Sequence, residues 1–397
     1  MKFKPTTPIP IEHQRDLEER ILLFSESIEQ VSFACDAQAI AEVEVHYAAD
    51  RAPHDLDDSI RRIIDDVQVS SRKIVHKTVF EHEVPVACFD PQPGLLESRQ
   101  IVATAPGEYV FQGAFLRLMQ ALDGLAARHL RALGCVEQAY PSFLNATPLF
   151  ALNYYETMSQ HIFFPVSLKG SYDTIAGFCE RHKRANNPQR KLALQPGEFD
   201  QPRVIASPTV CFHCFSALCD SQIPVEGLAF TGIARCHREE RSALRGLERL
   251  QSFTMREGIF VGNQEFVRER FEQSIALVKR LYAEELGLKF RIRSANDPFF
   301  GRVGALSQIF QSAMDLKYEV QVYLPYCDRY LACGSVNNHM STMADAFGFS
   351  FLDGASPSPV SMCIGIGFER LALALMAQRG QLPEPLLAAL GERLSGC

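Results

Sequence analysis

Apolar residues change their period several times along the chain, and each change marks an element. Val43 and Val45 alternate with Glu42 and Glu44, which predicts a half-buried strand. Asp55-Leu56-Asp57-Asp58-Ser59 leads into Ile60, Ile63, Ile64 and Val67, an amphipathic helix with acidic residues near its start. Phe115, Leu118, Met119, Leu122, Leu125, Leu130 and Leu133 recur mostly at three- and four-residue spacing, so a long helix runs from Phe111 to a stop at Gly134. It leads to Tyr140-Pro141-Ser142-Phe143, where proline favours extended chain.

Further on, Val204-Ile205-Ala206 and Tyr318 to Leu324 read as strands, with Val320, Val322 and Leu324 on one face of the second. A helix over about 266–286 carries Phe271, Ile275, Val278 and Leu281 and is capped by Gly287. The final helix begins near Phe368 and ends at Gly380. The basic run Arg181-His182-Lys183-Arg184, with Arg190-Lys191, falls in a segment, 181–203, that reads as an inserted solvated loop; a docking patch for an acidic partner is the sharper alternative. Pro91-Gln92-Pro93-Gly94 and Pro106-Gly107 separate an accessory domain over residues 1–105 from a second domain over 106–397.

Composition narrows the function classes. With 47% hydrophobic and 22% charged residues, and no apolar run near the roughly 20 residues that span a bilayer, the chain predicts a globular protein without a membrane segment. Its first residues lack the apolar stretch of a secretory signal, so the expected compartment is the cytoplasm. A net charge of −7 disfavours a broad nucleic-acid surface. Twelve irregularly spaced cysteines predict buried thiols rather than a disulfide framework, with two or three available for a metal.

Candidate chemistry begins at Thr231 to Glu240, a strand ending in Arg238-Glu239-Glu240, followed by Arg249, Phe253 and the strand Gly258 to Val261. A guanidinium that neutralises an α-phosphate and an aromatic face for adenine are what an ATP site needs, and Arg238 and Phe253 meet those needs. Taken alone, the segment reads better as a surface hairpin laced with salt bridges. Gly365-Ile366-Gly367-Phe368-Glu369-Arg370 shifts that balance, because two glycines allow close backbone approach at a strand end while Arg370 projects from the next helix.

With the helix leading to Pro141, Arg238 with Glu240, and Gly365 through Arg370, the chain resembles class II aminoacyl-tRNA synthetases over roughly residues 110–380. The runs Gly246-Leu247-Glu248-Arg249 and Cys363 to Arg370 look most like atypical, zinc-dependent archaeal seryl-tRNA synthetases and the bacterial homologues that load amino acids onto carrier proteins. The resemblance implies an α+β fold, an antiparallel sheet flanked by helices, beside a smaller N-terminal α/β domain. It implies that Arg238 holds the α-phosphate, that Phe253 and Arg370 sandwich adenine, and that Glu319 holds magnesium. Arg249, Ser335 and Gly367 would complete the ATP site, Asn338 would contact the substrate, and Asn337 falls with Ser335 and Asn338 where the family places further polar ligands to metal and substrate. As a plain strand residue, Glu319 would instead face solvent.

In the zinc-dependent relatives the substrate amine binds a zinc held by Cys, Glu and Cys. Glu240 and Cys363 match two of these, and no cysteine stands near Phe163 to Leu168 for the third. Cys211 or Cys214 from a neighbouring strand or Cys179 would supply the thiolate, or the metal is absent and Glu240 meets the substrate directly. An independent site at Cys211-Phe212-His213-Cys214 with Cys219 is the weaker alternative.

The expected activity is therefore an amino acid:[carrier protein] ligase that forms an adenylate from ATP and a small amino acid, or a related carboxylic acid, and passes the acyl group to a phosphopantetheine thiol. The alternatives are a tRNA-charging synthetase, which the net acidity disfavours, and a non-catalytic relative that has kept the scaffold. The long first helix predicts a homodimer, since in the class it resembles that motif forms the subunit interface.

Overall fold

The structure, a computed structural model, describes residues 1–36, 38–71, 74, 76–297, 307–308, 311, 314, 316–354 and 356–395, with 392–395 by backbone alone. The first unit is a small antiparallel sheet in which Ala39–Tyr47 pairs with Lys2–Phe3, Ile9–Pro10 and Ile28–Cys35. Val43 and Val45 are buried as their alternation predicts. Leu17 and Ile21 of helix α1 (Gln14–Phe24) and Ile60, Ile64 and Val67 of helix α2 (Leu56–Ser71) cover them. This separate core ends at Val67 apart from Ala243, so it is shorter than the expected 1–105 section. Strand β1 (Thr78–His82) already belongs to the larger body, as do Leu95 and Ile101.

Next comes α3 (Gly113–Ala132), the long helix read from the heptad-like spacing, and Gly134 leaves it with φ +83°. Strand β2 (Val136–Glu137) follows. The basic segment is not all loop, because α4 (Tyr172–His182) includes Arg181 and His182. Asp173 near its start and the Ser171 side-chain cap favour that turn of helix. None of its residues is buried, and Arg181 pairs with Glu198. Helix α5 (Cys211–Ala217) then precedes strands β3 (Leu228–His237) and β4 (Ser252–Gly262).

Helix α6 (Gln264–Lys279) widens into a π turn over Arg280–Glu285 before Gly287. Strands β5 (Phe290–Ser294), β6 (Lys317–Leu324), β7 (Arg329–Met340) and β8 (Val360–Gly367) complete the large sheet. Helix α7 (Phe368–Arg379) stops at Gly380, φ +66°. It is not the last element: α8 (Pro383–Ser395) follows, its proline at the first helical position. Leu386 and Leu390 of α8 join the main core.

The eight-stranded sheet runs β1-β5-β6-β7-β8-β4-β3-β2, antiparallel except for the short β3–β2 pairing. The fold is thus α+β with a large antiparallel sheet flanked by helices. One face carries Val320, Val336, Ile364 and Ile366 against Phe115, Leu118 and Leu122 of α3 and the buried side of α7. On that face Arg256 is buried and ties β4 to α3 through Asp123, 2.5 Å away, and to Glu137 at 2.7 Å. The other face carries Ile259, Val261 and Cys363 against Phe212, Phe215 and Phe347. Among the described residues, no helix is long and apolar enough to cross a membrane.

Gly232 lets the chain from β2 to Pro141 lie on β3, because a Cβ there would meet the Tyr140 ring and stand 2.6 Å from the backbone oxygen of Gln138. Gly232→Val is expected to cost about 1–3 kcal/mol by overpacking against a backbone that cannot retreat. Urea unfolding measures it, and an unchanged midpoint would show that this segment moves freely.

Candidate active site

Side chains alternate along a strand, so the register of neighbouring strands decides which residues share a face. Gly365 lies across from Glu257 on one side and Ser335 on the other; Cys363 lies across from Ile259 and Asn337; Glu319 lies across from Ser335. Glu319, Ser335, Asn337, Cys363, Glu257 and Phe253 therefore share the face opposite the α3 core. Gly365 forms the floor between them, where a Cβ would stand 3.3 Å from Met255 Sδ and 3.6 Å from Glu257 Cγ. At Gly367 a Cβ would meet only the Cys333 oxygen, at 3.8 Å, so space remains above it.

Three guanidiniums border this floor. Arg238, just past β3, donates through Nε to the Pro208 oxygen at 3.1 Å, and its Cζ lies 5.2 Å from the centre of the Phe253 ring. The resemblance implies adenine between Phe253 and Arg370, and in this structure the Arg238 guanidinium lies over the Phe253 ring. Arg370 is fixed by Nε to the Glu248 oxygen at 2.6 Å and by Nη1 to the Ala332 oxygen at 3.0 Å. Burial, and then the Arg249 charge beside it, lower its pKa to about 10, so it stays a cation at neutral pH. Glu369, next to it, is buried and accepts the Thr254 N–H at 2.8 and 2.9 Å, which locks the start of α7 onto β4.

Arg249 is held from two sides, by Glu240 at 2.8 Å and by Glu19 of α1 at 2.6 Å. Glu240 is thus engaged by a guanidinium, and it is not part of the sulfur cluster around Cys363. Glu319 accepts from Gln321 Nε2 at 2.9 Å and lies beside Arg15 of α1.

The sulfur cluster gathers Cys211, His339 and Cys363, whose ligand atoms all lie within 4.8 Å of one another. Cys363 Sγ is 3.5 Å from His339 Nε2 and accepts from Asn337 Nδ2 at 3.5 Å. Glu257 lies beside the cluster. Its carboxylate accepts from Thr209 Oγ1 at 2.5 Å and from the Val210 and Cys211 N–H groups at 3.3 and 3.1 Å, at the start of α5. The Cys211 thiol hydrogen-bonds Cys363, which holds Cys363 well below the usual thiol range and pushes Cys211 above it. Burial, and then the Cys363 charge, raise Glu257 to about 8.

Two buried thiols, an imidazole and a buried carboxylate that resists ionisation form a donor set that suits zinc. The residues present therefore fit the metal implied by the resemblance, with two corrections. The carboxylate beside the thiols is Glu257, not Glu240, and Cys211 comes from the first residue of a helix rather than from a strand. Cys214 points elsewhere, to a hydrogen bond with Tyr140. Cys179 is exposed on α4, and Cys219 hydrogen-bonds Asp220 on the surface, so no separate Cys211–Cys214–Cys219 cluster forms among the described residues. Asn338 is likewise displaced by its neighbour. Its side chain accepts from the Met340 N–H at a bulge, and Asn337 is the amide on the site face.

Residues 200–379 match the tRNA synthetase class II core domain (G, H, P, S and T). The fold is that of a class II synthetase. The amino acid–[acyl-carrier-protein] ligase 2 of Bradyrhizobium diazoefficiens is 36% identical over 179 residues, 45% of this chain and 52% of that protein. A type-2 serine–tRNA ligase of Methanopyrus kandleri is 24% identical over 307 residues, 73% of this chain and 58% of that one. The matches span little more than half the length of these two relatives. A chain of the crystal structure of A. aeolicus tRNASec in complex with M. kandleri SerRS superposes with a TM-score of 0.67, at 18% identity, over 99% of this chain and 77% of that one. That last likeness shows the class II fold.

Sequence reasoning gave no role to Glu257 or His339, whereas Asn337 was marked together with Ser335 and Asn338. Extending the Gly258 strand back to Phe253 would have put Glu257 on the same face as the ring by simple alternation. No comparable signal marks His339, which depends on a bulge between Asn338 and Met340.

Because the folded state holds the Glu257 proton from its ordinary value of 4.5 up to about 8, the metal-free protein loses stability as pH rises through that window. A metal ion displaces the same proton, so zinc affinity is expected to climb with pH up to about 8 as Glu257 ionises, and to go on climbing above it because the Cys211 thiol, held above the usual thiol range, must also give up its proton. Competition with a chromophoric chelator across that range measures it. Glu257→Gln should flatten part of the slope, and an equally steep profile in the variant would remove Glu257 from the site.

Proposed function

We propose that the chain activates a small amino acid, or a related carboxylic acid, with ATP and transfers the acyl group to the phosphopantetheine thiol of a carrier protein. The single observation that carries the reading is one sheet face that joins a phosphate-directed cation and aromatic ring, Arg238 and Phe253, to a thiol–carboxylate cluster. The likeness to carrier-protein ligases supports the choice of acceptor.

In the first step the ionised carboxylate of the substrate attacks the α-phosphorus of ATP, and the bond to pyrophosphate breaks. No general base is needed, because a carboxylate is already ionised at neutral pH. Arg238 has its Nη donors free of the Pro208 contact, so they are available to the α-phosphate as negative charge shifts there. Adenine stacks on Phe253 once Arg238 swings to the phosphate, with Arg370 held rigidly by two backbone oxygens on the other side. Glu319, with Ser335 opposite it, faces the polyphosphate through magnesium, and Arg249 adds a further cation. A zinc held by Cys211, Glu257 and Cys363, with His339 beside them, would act as a Lewis acid for the substrate amine. In the second step the carrier thiol attacks the acyl carbon, and the bond to AMP breaks.

The contact of Val110, Leu116 and Ile233 with a second copy would cover an apolar strip beside α3, consistent with a homodimer. A tRNA-charging function is the second reading, favoured by the match to type-2 serine–tRNA ligases over 73% of the chain.

Amino-acid-dependent exchange of pyrophosphate into ATP is expected for at least one small amino acid, and Arg238→Ala should lower it by about a hundredfold or more. No exchange with any carboxylic acid would sink the enzyme readings. A mass shift on a phosphopantetheinylated carrier, set against acylation of total tRNA, separates the two acceptors.

A further inference from the structure

Helix α1 belongs to the N-terminal unit, yet it is bolted to the loop that carries Arg249. Arg241 Nη1 donates to the Phe24 oxygen at 2.6 Å, and Ser242 Oγ donates to the Ser25 oxygen at 3.0 Å. Ala243 is buried within the N-terminal core itself. Arg245 faces Glu18 at 3.7 Å, and Glu12, just ahead of α1, pairs with Arg293 at 2.9 Å. The two units therefore share one interface, and α1 cannot shift without moving the loop.

This interface brings Arg15 to the mouth of the nucleotide site. Its Nε donates to Glu19 Oε1 at 2.8 Å, the same oxygen that Arg249 Nη2 meets at 2.6 Å. Its Nη1 donates to the Tyr330 oxygen on β7 at 3.0 Å. Two guanidiniums from different units are thus bridged by one carboxylate oxygen, and Arg15 also lies beside Glu319, the residue read as the magnesium contact. The Arg15 side chain remains 41% exposed, and among the described residues its hydrogen bonds run from Nε and Nη1. It is an oriented cation with donors left over, facing the open site from outside the class II core.

Resting on the ATP reading above, we propose that Arg15 is a polyphosphate-binding residue delivered by the N-terminal unit, with Glu19 positioning it against Arg249. Arg15 and Arg249 together present a fork of donors that fits the β- and γ-phosphates, whereas Arg238 serves the α-phosphate. The nucleotide site is then incomplete in the class II core alone, and the N-terminal unit contributes to nucleotide affinity.

The test compares ATP and AMP binding to the full-length protein by titration calorimetry with magnesium present. Arg15→Ala and Arg15→Gln should each weaken ATP by about tenfold or more while leaving AMP unchanged, since AMP lacks the phosphates that Arg15 meets. Arg15→Lys should recover part of the loss by restoring the charge without the fork. A merely structural role would weaken ATP and AMP together, and that result, or unchanged ATP binding, overturns the proposal. If ATP binds and depends on Arg238 but not on Arg15, this inference alone falls; if the wild-type protein binds no ATP, the nucleotide reading falls with it.

Discussion

The antiparallel register of β6, β7, β8 and β4 is the constraint on which the site depends. Neighbouring strands lie about 4.8 Å apart and side chains alternate, so residues far apart in the chain become lateral neighbours only at one alignment. A slip of one residue on β8 would send Cys363 into the α3 core and bring Ile364 out among the polar groups. Small residues hold that alignment. A Cβ at Gly334 would stand 2.8 Å from the Gly365 oxygen, and the Gly365 floor leaves Glu257 room to reach the N–H groups at the start of α5.

Charge is arranged on this floor in two different ways. Around Arg249 and Arg370, guanidiniums are held by carboxylates and backbone oxygens, and they remain charged. Around Cys363 the groups are buried without a cation, and the protein responds by sharing or retaining protons, with Cys211 and Glu257 both pushed toward their neutral forms. The first arrangement suits anions and the second suits a metal cation. Both lie on one face because Glu257 and Phe253 are four residues apart on the same strand, in phase with its alternation.

The N-terminal unit is joined to this floor through polar contacts rather than through a continuous apolar core. Ala243 is the one described residue of the loop between β3 and β4 that enters the small core, while Arg241, Ser242, Arg245 and Arg249 reach α1 through hydrogen bonds and ion pairs. Bonds of this kind specify orientation more than they add stability, since each replaces contacts with water.

Periodicity by itself determined the long elements. The spacing of Phe115, Leu118, Leu122 and Leu125 defined α3, the alternation of Val320, Val322 and Leu324 defined β6, and Gly134, Gly287 and Gly380 marked helix ends through their left-handed φ. Motif spacing also marked Arg238, Arg249, Phe253 and Arg370, because these stand at fixed offsets within single strand–loop or strand–helix units. What only the tertiary structure decided were the pairings between units: Cys211 with Cys363, Glu257 rather than Glu240 beside them, Asn337 rather than Asn338 on the floor, and Arg15 beside Glu319. The physical reason is the same in each case. A sequence pattern reports which face a side chain takes within its own element, whereas strand register, a bulge and the docking of a helix decide what that face meets.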